Sequence, residues 1–129
     1  MNELTINGEV YSFKFGFGFI RKIGSEYQIP VAGIPGAKKD AGLFLAIANV
    51  YDGDLITLVK VLDVANEGQK PRITRAKLEE YLEDENTDVQ GVIDQVMGFF
   101  SRANCCKKIV DQVMEVAREQ EEAKKKAKV

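Results

Sequence analysis

Apolar and polar residues alternate on either side of Asn7-Gly8: Leu4 and Ile6 before it, Val10 or Tyr11 and Phe13 after it. A period of two is the mark of a half-buried strand. Asn-Gly supplies the two positive-φ positions of a type I′ turn. The spacing predicts a hairpin with those side chains on one buried face. The period then changes. Phe13, Phe17, Ile20 and Tyr27 recur at helical intervals, and Phe19 and Ile23 form a second flank. This predicts an amphipathic helix over Gly16 to Glu26, weakened by Gly16, Gly18 and Gly24 and packed on the hairpin.

From Ile29 to Ala41 the pattern stops; prolines, glycines and Lys38-Lys39-Asp40 read as a long loop. Gly42 to Tyr51 is apolar almost all round, as helices inside a core or an interface are. Asp52-Gly53 breaks it, and Asp54 is placed to cap a helix carrying Leu55, Leu58, Val59, Leu62 and Ala65 on one face. Asn66-Glu67-Gly68 stops that helix. Thr74 is the N-cap of another, through about Glu83, with Leu78, Tyr81 and Leu82 inward. Asp88 caps the next, where Val89, Val92 or Ile93, Val96 or Met97, Phe100 and Ala103 recur with helical period. A last helix carries Ile109, Val113, Met114 and Ala117. Its end is charged throughout, and Glu121–Lys125 and Glu122–Lys126 are favourably ordered i,i+4 pairs that suit a solvated, fraying helix.

The fold class expected is α+β, predominantly α-helical: an N-terminal β-hairpin packed on about five helices, with a charged helical C-terminal tail. Residues 1–117 form a single globular domain and 118–129 the tail. The apolar load of Leu43 to Tyr51 and Val92 to Val113 is large for one small domain. Self-association into a homo-oligomer, or a groove awaiting a partner, would use the surplus.

Composition narrows the chemistry. The chain has 129 residues, 45% of them apolar, and a formal net charge of -2. It lacks the basic excess that displaces counterions from nucleic-acid phosphates, so no nucleic-acid partner is expected. Histidine, the commonest general base and metal ligand, is absent. Cys105 and Cys106 are adjacent, poorly placed for a disulfide and too few for a zinc site; they read as reduced thiols in or near a helix. MNELTINGEV lacks a basic region followed by an apolar run, so no signal peptide is expected. No window reaches the ~18 apolar residues of a membrane span. No metal, cofactor or catalytic residue is expected, and the chain reads as a non-enzyme.

Three partial motifs fail on spacing. Gly16-Phe17-Gly18 opens like a dinucleotide fingerprint, but Arg21 stands where the third glycine belongs. Gly33 to Lys39 lacks the phosphate-loop spacing. Asp84, Asn86 and Asp88 alternate like a calcium loop, but Val89 and Gln95 replace the glycine and the closing glutamate. The acidic run Glu79, Glu80, Glu83, Asp84 and Glu85 is a solvated helix face or a docking surface for a basic partner. Phe99 and Phe100, with Met97 and Met114, form a stripe that is core in most helices and interface in promiscuous binders. Phe99, Phe100, Val113 and Met114 are the candidate partner-binding residues.

The order of segments carries more than any one motif. L-T-I-N-G-E-V-Y-S-F-K-F-G-F-G-F-I-R-K-I, from Leu4 to Ile23, resembles the opening of tail assembly chaperones from long-tailed phages and prophages of Gram-positive bacteria. Gly42-Leu43-Phe44-Leu45-Ala46 with Tyr51-Asp52-Gly53-Asp54 resembles the family's next helix pair, and the Thr74 helix with Tyr81-Leu82-Glu83-Asp84 its third segment. The resemblance covers the chain to about Phe100. It implies a protein that binds the tape-measure protein and keeps it soluble until the tail tube polymerises around it. It also implies work in the host cytoplasm and absence from the mature virion. The tail tube protein is a second partner to be expected. The alternative is a structural tail-completion or connector protein of the virion. The family's ribosomal frameshift would fall near Lys124-Lys125-Lys126, whose codons are A-rich; a lysine-rich helix end explains the same residues.

Overall fold

Asn7 at φ 52° and Gly8 at φ 83° reverse the chain and pair β1 (Glu3–Ile6) with β2 (Glu9–Ser12) antiparallel. Leu4 faces Tyr11 and Thr5 faces Val10 across the ladder. Leu4, Ile6, Tyr11 and Phe13 are buried and Val10 is exposed, so of the two residues that could face inward after the turn, Tyr11 does. The computed structural model describes residues 2–25, 28–30, 32–36 and 38–127. Six helices, α1 to α6, follow the hairpin among these residues.

Helix α1 (Phe17–Gly24) is rotated from the sequence expectation. Phe19 and Ile23 are the buried pair, while Phe17 stays 67% exposed with Arg21 over its ring. The reason lies just before the helix. Phe13 and Phe15 leave the hairpin pointing into the core, and Phe19, four residues beyond Phe15, continues that line. Phe15 and Phe19 meet edge to face at 4.9 Å. Phe17, at the first helical position, is left on the far side. Tyr27, also expected on the inner face, lies outside the described residues.

The segment read as a loop contains two short strands. β3 (Gln28–Pro30) pairs antiparallel with β4 (Lys38–Asp40), Pro30 opposite Lys38. Gly33 and Gly36 take positive φ between them. Strands of three residues, one ending in proline, leave too short a pattern for alternation to register.

Helix α2 (Gly42–Tyr51) is the hub, touching α1, α3, α5 and α6, which accounts for its nearly all-round apolar sequence. Its first residue has no room for a side chain: a Cβ on Gly42 would collide with the Ile23 carbonyl and lie 2.8 Å from Gly24 Cα. Helix α3 (Leu55–Asn66) starts where Asp54 accepts hydrogen bonds from the Ile56 and Thr57 amides. It ends at Asn66, which is fully buried. The Asn66 amide donates to the carbonyls of Ser12 and Pro71, and its oxygen accepts from Arg72 and from the Ile73 amide. One side chain thereby joins the hairpin, α3 and the connector to α4.

Thr74 and Asp88 cap α4 (Arg75–Glu83) and α5 (Val89–Arg102) as expected. Val92, Ile93, Val96, Phe99 and Phe100 give α5 one continuous buried face. The α5–α6 connection carries both cysteines, each free. Cys106 is buried, and burial, with Cys105 beside it, pushes its thiol up to about 12. Helix α6 (Lys107–Ala127) buries Val110 and Val113, which continue the line of Cys106 at i+4 and i+7. From Arg118 to Lys126 its side chains are all exposed.

Candidate partner-binding surface

The four residues expected to form the surface are divided by the fold. Phe99 and Phe100 are buried in a five-ring cluster with Phe13, Phe15 and Phe19. Phe15 lies 5.1 Å from Phe100 edge to face and 6.0 Å from Phe99. These rings clamp the hairpin exit and α1 onto α5, and contacts of this kind add to the area each ring buries. Val113 is buried where α6 meets α2. Met114, one position further round α6, is 40% exposed. Only Met114 of the four therefore reaches solvent, and Val116 joins it on the surface.

Around Met114 the surface is concave. A depression of about 280 Å³ between α5 and α6 is lined by Tyr51, Ile93, Met97, Val110 and Met114, with Gln90, Asp94 and Ser101 at its polar edge. A smaller one, about 140 Å³, lies between α2 and α6 against Phe44, Tyr51, Val113 and Val116. Tyr51 belongs to both. Two thioethers in one depression give a lining that adapts its shape to what it meets.

A larger groove was not expected from the sequence. It lies between α3 and α4, encloses about 450 Å³, and is lined by Leu55, Ile56, Val59 and Leu82 with Arg75, Glu79 and Glu83. Ile56 is 85% exposed, the most exposed large apolar residue described. Helical spacing assigned Leu55 inward and passed over Ile56. The available signal was its offset from the buried line: Ile56 stands two residues before Leu58, about 200° away round the helix, on the opposite side.

Arg75, in the lining of this groove, also links its two helices. Asp63 accepts hydrogen bonds from Arg72 at 2.8 Å and Arg75 at 2.7 Å, tying α3 to the start of α4. Burial alone would raise the Asp63 carboxyl, but the bonds from Arg75 and Arg72 outweigh it and hold it below its ordinary value.

Among the described residues no group of His, Cys, Asp and Glu is arranged to hold a metal ion, and no helix is long and apolar enough to cross a membrane. What the described surface offers is a set of hollows with apolar floors and polar edges. No curated protein and no solved structure matches the chain. The family model described as phage tail assembly chaperone protein, TAC, matches residues 3–115. That span runs from β1 into α6. It takes in the 28–40 segment and the α5–α6 turn, and stops short of the charged end of α6. The resemblance read from motifs ended near Phe100; the match extends it into α6, and the chain belongs to the phage tail assembly chaperone family.

Proposed function

We propose that this chaperone binds the tape-measure protein of its phage and keeps it soluble in the host cytoplasm until the tail tube polymerises around it. The observation that carries this reading is the methionine-lined depression of α5 and α6 on a chain of the tail assembly chaperone family. A tape-measure protein is a long amphipathic helical chain, and its exposed apolar stripes would aggregate before the tube covers them. An adaptable apolar hollow on a small stable body covers such stripes reversibly.

The test is co-expression with the tape-measure protein of the same phage. Wild-type chain keeps that protein in the soluble fraction and co-purifies with it. Met114→Ser with Val116→Ser, both at exposed positions, leaves the fold intact and reduces co-purification about tenfold, the loss of roughly 1.4 kcal/mol of apolar contact. Val113 is unsuitable for this purpose, because replacing a core valine unfolds as well as unbinds. Unchanged co-purification by the double variant removes both hollows beside α6, Met114's against α5 and Val116's against α2, from the reading. Recovery of the chain in purified virions at stoichiometric amounts makes it a structural tail component instead.

A further inference from the structure

We infer that the groove between α3 and α4 docks a basic amphipathic helix, one whose apolar stripe is flanked by lysine or arginine. The inference rests on the chaperone reading above and adds a second face with its own chemistry.

Three observations converge there. The groove has an apolar wall made by Leu55, Val59 and Leu82, and Ile56 stands beside it almost wholly in solvent. An isolated exposed isoleucine is ordinary, but one at the lip of an apolar groove of this volume is placed to close over an inserted side chain. The rim is acidic. Arg75, Glu79, Leu82 and Glu83 share one face of α4 at intervals of four, three and one, so Glu79 and Glu83 line the opening. The one cation there, Arg75, is committed to Asp63 at 2.7 Å. Glu80, Asp84 and Glu85 extend the negative region, and all five carboxylates are on exposed residues. Lys77, the other cation of α4, lies half a turn away from the Glu79 face. The run that looked like a solvated helix face is thus the edge of an apolar opening.

An acidic rim with an apolar floor rejects an acidic helix by like-charge repulsion and desolvation, and it attracts a helix carrying the opposite charge beside its apolar stripe. The charged end of α6 in a second copy has the lysines but no large apolar residue between Arg118 and Ala127, so it does not fill the floor. An amphipathic helix of another protein does.

The experiment uses two synthetic helical peptides with the same leucine stripe, one flanked by lysines and one by glutamates. They are titrated into the full chain with the Ile56 methyl followed by NMR. The lysine peptide shifts the Ile56 methyl and binds at least tenfold more tightly than the glutamate peptide, as two rim ion pairs near the upper end of their usual strength would give. Glu79→Lys with Glu83→Lys inverts that preference, and raised salt weakens binding of the lysine peptide. Equal affinity for both peptides, or an unmoved Ile56 methyl, overturns the inference. So does a chain that sediments as a dimer and becomes a monomer on Ile56→Ser, since the groove then belongs to a second copy. Wild-type co-purification with the tape-measure protein, measured alongside, separates the two failures. If it persists while the groove stays silent, only the groove assignment falls.

Discussion

Asn66 ties together three parts of the fold through one side chain. It is a polar residue with no solvent exposure, and all of its hydrogen-bonding partners belong to other elements or to the connector. Its removal leaves the Ile73 amide and the Ser12 and Pro71 carbonyls short of partners in the interior. Asn66→Ala is therefore expected to cost about 3 kcal/mol and to lower Tm by roughly 10 °C in a thermal melt. Asn66→Asp, which keeps the acceptor and loses the donor, fares little better, because it brings an ionised group beside two carbonyl oxygens. If the alanine variant melts within a degree or two of wild type, the junction is not what holds the hairpin to α3. The sequence marked this residue as a helix stop, which is correct, yet nothing local to Asn66-Glu67-Gly68 reveals a partner 54 positions away in Ser12.

At the scale of elements, glycine gives a test of opposite signs. Helix propensity alone makes every Gly→Ala change in a helix favourable. Gly18 in α1 has open space around the position of a Cβ, so Gly18→Ala is expected to stabilise the protein by about 0.5 kcal/mol. Gly42 meets the backbone of Ile23 and Gly24, which cannot rotate away as a side chain can. Gly42→Ala must prise α2 from the end of α1 and is expected to cost about 2 kcal/mol, read from chemical denaturation. Two destabilised variants, or two stabilised ones, would mean that the α1–α2 approach is looser than described. The same contrast explains what was legible. Turns, caps and the central helix could be read because Asn7-Gly8, Asp54, Thr74 and Asp88 act on their own neighbours. Which face of α1 turns inward could not, because Phe15 outside the helix decides it. The α3–α4 groove was hidden for a like reason: a concavity is made by two helices, and each shows only its own periodicity.

For the whole molecule, the pH response follows from what is missing as much as from what is present. Without histidine, no side chain has an ordinary pKa between about 5 and 8. Asp63 is the structural carboxylate held below its ordinary value of 3.8 by Arg75 and Arg72 against its burial. A depressed carboxyl contributes its stability above the unfolded value and loses it as pH falls through the folded one. Asp63→Asn is expected to be less stable than wild type at neutral pH, and the difference should shrink as denaturation is repeated below pH 3.8. A gap that stays constant with acidity would show that the α3–α4 tie is geometric and not ionic. The long α6 has a different consequence. Its first turns are anchored on α2 and α5, whereas the helix continues from Arg118 to Ala127, with side chains exposed as far as Lys126, about 15 Å of rod at 1.5 Å per residue. A polypeptide fused after that rod would start at a fixed distance and bearing from the body. Its chance of meeting anything held in the grooves would be governed by aim, as with an arm on a bracket, and not by the length of a slack cord.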